Sequence, residues 1–160
     1  MTNIKHIKKQ DFCEFYWKLK ELKGLAQKYK FGNGFKLPSP FTEKLCRYLY
    51  GLSKKKGSPF DAIDDLKNNI EIKATVSKYG TTSMSIEKFD FLYWMYFDLN
   101  SDLVSIYRIS WDDFIGKEPY EKNFNLNKEE GKKRINVRLN QYMGENELID
   151  IYKFNQKESN

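Results

Sequence analysis

Apolar residues Phe12, Phe15, Tyr16, Leu19, Leu22, Ala26 and Tyr29 recur at three- and four-residue steps. That period predicts an amphipathic helix over 11–30 with most of its lysines on the opposite face. FGNGFKLPSP then breaks the period with Gly, Asn and two prolines and reads as a loop. Ser39 with Pro40 opens a second helix whose stripe is Phe41, Leu45, Tyr48, Leu49 and Leu52, with Gly51 and Ser53 as its stop. After the loop KKKGSP the period drops to two. Strands are predicted at 60–65 and 70–75, joined by the turn-like LKNN. FDFLYWMYFD at 89–98 reads as a buried strand bounded by acids, and LVSIYRI at 103–109 as another strand after the turn Asn100-Ser101. Ser110 is placed to cap a short helix, WDDF. Residues 116–134 are polar and loop-like, while 135–143 and 147–154 fit strands or short helices equally. Two helices followed by strands, without a repeat, predict one domain of mixed α+β or α/β class.

A chain of 160 residues is long enough to bury a core, and eleven Tyr, twelve Phe and three Trp make that core aromatic. The net charge of +6 is uneven. Residues 1–36 carry nine lysines against three acids, which is the whole excess. A basic arm of this kind suits a phosphate backbone or simply a solvated helix face. Two cysteines, Cys13 and Cys46, are too few for a disulfide framework or a zinc site. The single histidine, His6, argues against histidine-dependent catalysis or metal binding. The start MTNIKHIKKQ lacks the apolar stretch of a signal peptide, and the longest apolar run, Phe91 to Phe97, is too short to span a bilayer. The expectation is a soluble, cytoplasmic protein.

The candidate chemistry lies in SPFDAIDDLKNNIEIKAT. On a strand over 70–75, Ile70, Ile72 and Ala74 point one way, and Glu71, Lys73 and Thr75 point the other. A tight connection brings Asp61 or Asp64 of the preceding strand alongside Glu71, the choice depending on the hairpin register. Two carboxylates and an ammonium are what phosphodiester hydrolysis requires. Carboxylate oxygens hold a hard cation such as Mg²⁺, the cation acidifies water, and a lysine stabilises developing anionic charge. An exposed hairpin with salt-bridged side chains is the plainer reading of the same residues.

Asp61 followed by Glu71-Ile72-Lys73 resembles the PD-(D/E)XK signature, with Phe60 where the motif's proline often stands and Pro59 one position earlier. In order and spacing, FTEKLCRYLY, FDAID, IEIKAT, GTTSMSIEKFDFLYWMYFD and VSIYRIS resemble small type II restriction endonucleases of that superfamily over roughly residues 38–115. The resemblance implies a restriction-endonuclease-like core, a mixed sheet flanked by helices. It also implies Mg²⁺-dependent cleavage of double-stranded DNA at a short palindromic site, with Mn²⁺ able to substitute. A homodimer and a cognate methyltransferase encoded nearby would accompany that activity. It makes Asp61 and Glu71 metal ligands, Lys73 the water-orienting or charge-stabilising group, and Glu43 on the second helix an auxiliary acid. By helical angle, Glu43 lies roughly opposite the apolar stripe of its helix, so it reaches a cleft only if that second face lines one. The domain then divides into a basic helical region at 1–36, a catalytic core at 38–115 and a region at 116–160 suited to DNA recognition or dimerisation.

Two segments have side chains suited to DNA. Lys78, Tyr79, Gly80, Thr81, Thr82 and Ser83 form a polar loop beside the catalytic strand, from which Lys78, Thr82 and Ser83 are candidate contacts. If 134–140 is a strand, Arg134, Asn136, Arg138 and Asn140 share a face and offer the side chains that read base edges in a major groove. Lys54, Lys55 and Lys56 are placed to steer DNA, or only to keep a loop solvated. A structure-selective repair or junction nuclease, a non-catalytic DNA-binding module and a partner-binding protein are the competing functions.

Overall fold

Helix formation near the N-terminus follows the pattern of the chain. The computed structural model describes residues 2–32, 36–125 and 129–156. Strand β1 (Ile4–Ile7) leads into helix α1 (Gln10–Lys28), and α2 runs Ser39–Tyr50 with Pro40 in its first turn. Gly51 ends α2 in the left-handed conformation at φ 62°, donating its N–H to the Arg47 carbonyl. Six of the remaining strands and one short helix follow: β2 (Ala62–Ile63), β3 (Asn69–Thr75), β4 (Thr81–Ser85), β5 (Phe91–Asp98), β6 (Leu103–Ser110), α3 (Trp111–Ile115) and β7 (Arg134–Arg138). The Ser110 side chain accepts the Asp113 N–H at the start of α3, as its sequence position predicts. Strand β8 (Leu148–Phe154) closes the fold.

The central sheet has six strands in the order β1-β8-β6-β5-β3-β2, with parallel pairs β1–β8 and β3–β5 and the other neighbours antiparallel. This is the mixed α+β, restriction-endonuclease-like arrangement that the sequence predicts. Alternation along the strands divides its side chains between two cores. Ile70 and Ile72 join Tyr93, Met95 and Phe97 against α1 and α2. Leu92, Trp94, Tyr107 and Ile109 face a second core with Met84, Phe114, Ile135 and Val137. That second face is covered by a separate two-stranded sheet, β4 with β7, so the body has three layers.

Several expectations change. The predicted strand at 60–65 shortens to Ala62–Ile63, because residues 64–68 fold into a turn around Asp64. The polar segment expected to be a loop at 78–83 becomes strand β4 from Thr81. Residues 135–143 divide into the end of β7 and a 3₁₀ turn at Leu139–Gln141, which removes Asn140 from the face of β7. Part of the predicted loop FGNGFKLPSP, residues 33–35, lies outside the described residues. The apolar face of α1 is only half covered. Tyr16 is buried, stacks on Phe154 at 3.9 Å and donates to Asp102, whereas Leu22, Leu25 and Tyr29 are exposed. Periodicity shows that a face is apolar; it does not supply the neighbour that buries it.

Candidate active site

The turn after β2 decides which acid stands beside Glu71. Asp64 accepts the N–H groups of Leu66 and Asn68 and the Asn68 side-chain amide. Both oxygens are thereby engaged in the turn, where Lys67 adopts a left-handed φ of 66°. Asp61 is placed differently. Its N–H donates to the Ile70 carbonyl, and its Oδ2 accepts the Ile72 N–H at 2.8 Å. The carboxylate therefore lies on the free edge of β3, where β2 pairs only with Asn69 and Ile70. Past Ile70 that edge has no strand partner among the described residues.

Glu71 and Lys73 share the other face of β3, and Lys73 Nζ lies 2.8 Å from Glu71 Oε1. Glu71 is only 8% exposed, which makes it, with Thr42, one of two buried polar residues among those described. Burial, then the neighbouring Asp61 charge, hold its carboxyl above the ordinary carboxylate range, against the pull of Lys73 and Arg134. Glu43 reaches the same cluster. Burial and then Asp61 raise its carboxyl as well, opposed by Arg47, Lys54 and Lys73. Glu43 is half-buried on α2, on the side that turns toward Asp61. Arg47, one helical turn after Glu43, lies 3.8 Å from its carboxylate and donates to the Asp61 carbonyl at 3.1 Å. Arg47 thus ties α2 to the segment that presents Asp61. The sequence reading omitted Arg47, although its i,i+4 spacing from Glu43 is visible in FTEKLCR.

Burial first, and then repulsion from Asp61, makes Glu43 and Glu71 hold their protons more tightly. A hard cation relieves this repulsion, and the donors present are all oxygens. Among the described residues no group of three His, Cys, Asp or Glu side chains is gathered closely enough to cage an ion. The arrangement fits a cation held by one or two carboxylates with solvent and substrate oxygens completing its shell, which is the usual manner of Mg²⁺.

The two segments expected to touch DNA are brought together as one ribbon. In the β4–β7 pair, Thr81 is opposite Arg138, Ser83 opposite Asn136, and Ser85 opposite Arg134. Thr82 does not belong with them. It alternates with them and shares the inward side of β4 with buried Met84, where it is half-buried. Lys78 is exposed in the turn before β4. Arg134 donates to Ser83 Oγ at 3.1 Å and to the Ser83 carbonyl at 3.3 Å, and its charge acts on Glu71. The ribbon consequently borders the acidic cluster. Lys54, Lys55 and Lys56 are exposed in the loop leading to Asp61; Lys55 and Lys56 line a shallow hollow of about 310 Å³ with Gly57, Ser58 and Phe60. His6 pairs with Asn155, and Cys46 is buried in the first core, both outside this site.

The family model described as Bsp6I restriction endonuclease matches residues 4–155 of the chain. No curated protein matches it. No helix among the described residues is long and apolar enough to cross a membrane.

Proposed function

The chain belongs to the Bsp6I restriction endonuclease family, and on that premise we propose that it is a type II enzyme of PD-(D/E)XK type, hydrolysing double-stranded DNA at a short palindromic site. The observation that carries this reading is that the Lys73–Glu71 pair on β3 and Glu43 on α2 both lie within electrostatic range of Asp61, whose carboxylate sits on the free edge of β3. Asp61 and Glu71 are the residues to hold Mg²⁺, with Mn²⁺ able to replace it. When bound, the cation acidifies water and offsets charge on the phosphate. Lys73, fixed by its ion pair with Glu71, is placed to orient the attacking water and to stabilise developing negative charge. Glu43 is a positioning residue: with Arg47 it fixes the backbone from which Asp61 projects. Lys54, Lys55, Lys56 and Lys78 supply phosphate contacts around the cluster.

One half of a two-fold symmetric site is a natural target for a chain of this size, which makes the working enzyme a homodimer. Its host must protect its own sites, so a DNA methyltransferase gene is expected nearby. Digestion of a plasmid and a phage genome with purified protein and Mg²⁺ tests the proposal. Discrete, reproducible fragments are expected, and they should disappear with EDTA, Asp61→Ala or Lys73→Ala. Cleavage without fixed sequence would mean a target selected by shape. Failure to cut with either Mg²⁺ or Mn²⁺ would reduce the protein to a binding module.

A further inference from the structure

Building on that reading, we infer that the outer face of the β4–β7 ribbon lies in the major groove of duplex DNA and reads the bases. Three features point there. First, the ribbon has two chemically distinct sides. Met84, Ile135 and Val137 are buried against the second core, whereas Thr81, Ser83, Arg134, Asn136 and Arg138 are exposed. The inner side anchors the ribbon as a platform. The outer side carries no apolar side chain and no acid, so it lacks the anchors of a protein interface and suits a groove lined by phosphates.

Second, the register makes each cross-strand pair a reading unit. Arg138 stands opposite Thr81, and Asn136 opposite Ser83. Arginine can bridge guanine O6 and N7, asparagine can bridge adenine N6 and N7, and a hydroxyl serves either. A major groove about 12 Å wide admits a two-stranded ribbon, whose strands are about 4.8 Å apart. Successive outward pairs advance about 6.8 Å along the strands, or about two base pairs at 3.4 Å each.

Third, the ribbon has a fixed end. Arg134 is held by Ser83 and stands opposite Ser85, from which residues 86–90 lead to Phe91, the partner of Ile70 beside Glu71, so this end borders the phosphate to be cut. Arg134 therefore contacts backbone, while the Asn136–Ser83 and Arg138–Thr81 pairs meet bases. Recognition by each subunit is confined to about three base pairs beside the cleaved bond, from the same spacing.

The test is selection of bound sequences from randomised duplexes in EDTA, followed by mapping of the cut in Mg²⁺. Asn136→Ala and Arg138→Ala should each erase preference at a separate position and weaken binding to the selected site about 5- to 150-fold. Arg138→Lys keeps the charge without the planar fork, so it should retain non-specific affinity and lose the preference. Thr82→Val, on the inward side, should select the wild-type site. Methylation of guanine N7 within the selected site should block binding, and a minor-groove ligand should not. If the wild type selects a site and the Asn136 and Arg138 variants all select it with equal strength, the ribbon is not the reader, though the enzyme reading survives. If the wild type cuts DNA with no preferred sequence, both readings fall.

Discussion

Glu71 loses most of its solvent to the fold and still faces Asp61, so its proton leaves less readily than that of an ordinary carboxylate. A metal ligand must be ionised, so cation binding should decline as pH falls, beginning above the ordinary carboxylate range. Lys73 and Arg134 oppose that shift. Lys73→Met should therefore push Glu71 higher still and move the acid limb of Mn²⁺ binding to higher pH, as titration calorimetry across pH would show. An unmoved limb would mean that the ion pair does not act on Glu71. Folding stability has the opposite sign. A carboxyl whose pKa is raised by folding contributes stability that is present below its unfolded pKa and lost as pH rises through the folded value. Mg²⁺ should accordingly raise Tm more at neutral pH than at acid pH. The face that Glu71 and Lys73 share was legible, because strand alternation alone sets it. The choice between Asp61 and Asp64 was not. It turns on side-chain bonds from Asp64 to Leu66 and Asn68, a turn habit of aspartate that NN in LKNN only hints at.

Among the elements, those that make their own signal were the ones the sequence revealed. Helix α2 carries its Ser-Pro start and Gly51 stop, and β5 and β6 are nearly continuous apolar runs. Strand β4 has one apolar residue, Met84, and looks like a loop until β7 pairs with it from about fifty residues away, a non-local contact that local pattern cannot register. Strand β1 is invisible for the same reason, since IKHI is ordered by parallel pairing with β8 at the far end of the chain. The half-covered helix α1 allows a quantitative contrast. Tyr16→Ala removes a buried ring and its bond to Asp102, and should cost about 3–5 kcal/mol, as for other large aromatic truncations. Leu22→Ala, on an exposed position of the same helix, should change stability by no more than about 0.5 kcal/mol. Urea unfolding of both variants checks the assignment. A cost for Leu22→Ala near that for Tyr16→Ala would show that the exposed stripe is covered in solution.

At the scale of the whole molecule, the basic N-terminal region is partly occupied by the fold itself. Lys5 pairs with Asp150, Lys18 with Glu14 and Lys20 with Asp102, so the local excess of lysine is not all available to DNA. The cations nearest the acidic cluster, Arg47, Lys54, Lys73 and Arg134, come from elsewhere in the chain and surround its carboxylates. This concentrates one set of acids at one place per chain, and on the proposed function a single such set would cut one strand. Double-strand cleavage at a two-fold symmetric site then needs a second copy, with each subunit acting on its own strand. Co-expression of differently tagged wild-type and Lys73→Ala chains, followed by purification through both tags, would isolate mixed dimers with one competent site. Supercoiled plasmid treated with them should accumulate as nicked circles, whereas wild-type dimers carry it through to linear DNA. Linear product at the wild-type rate from the mixed dimer would mean that one chain cuts both strands in turn. If the two tags never copurify, with or without DNA, the enzyme acts as a monomer.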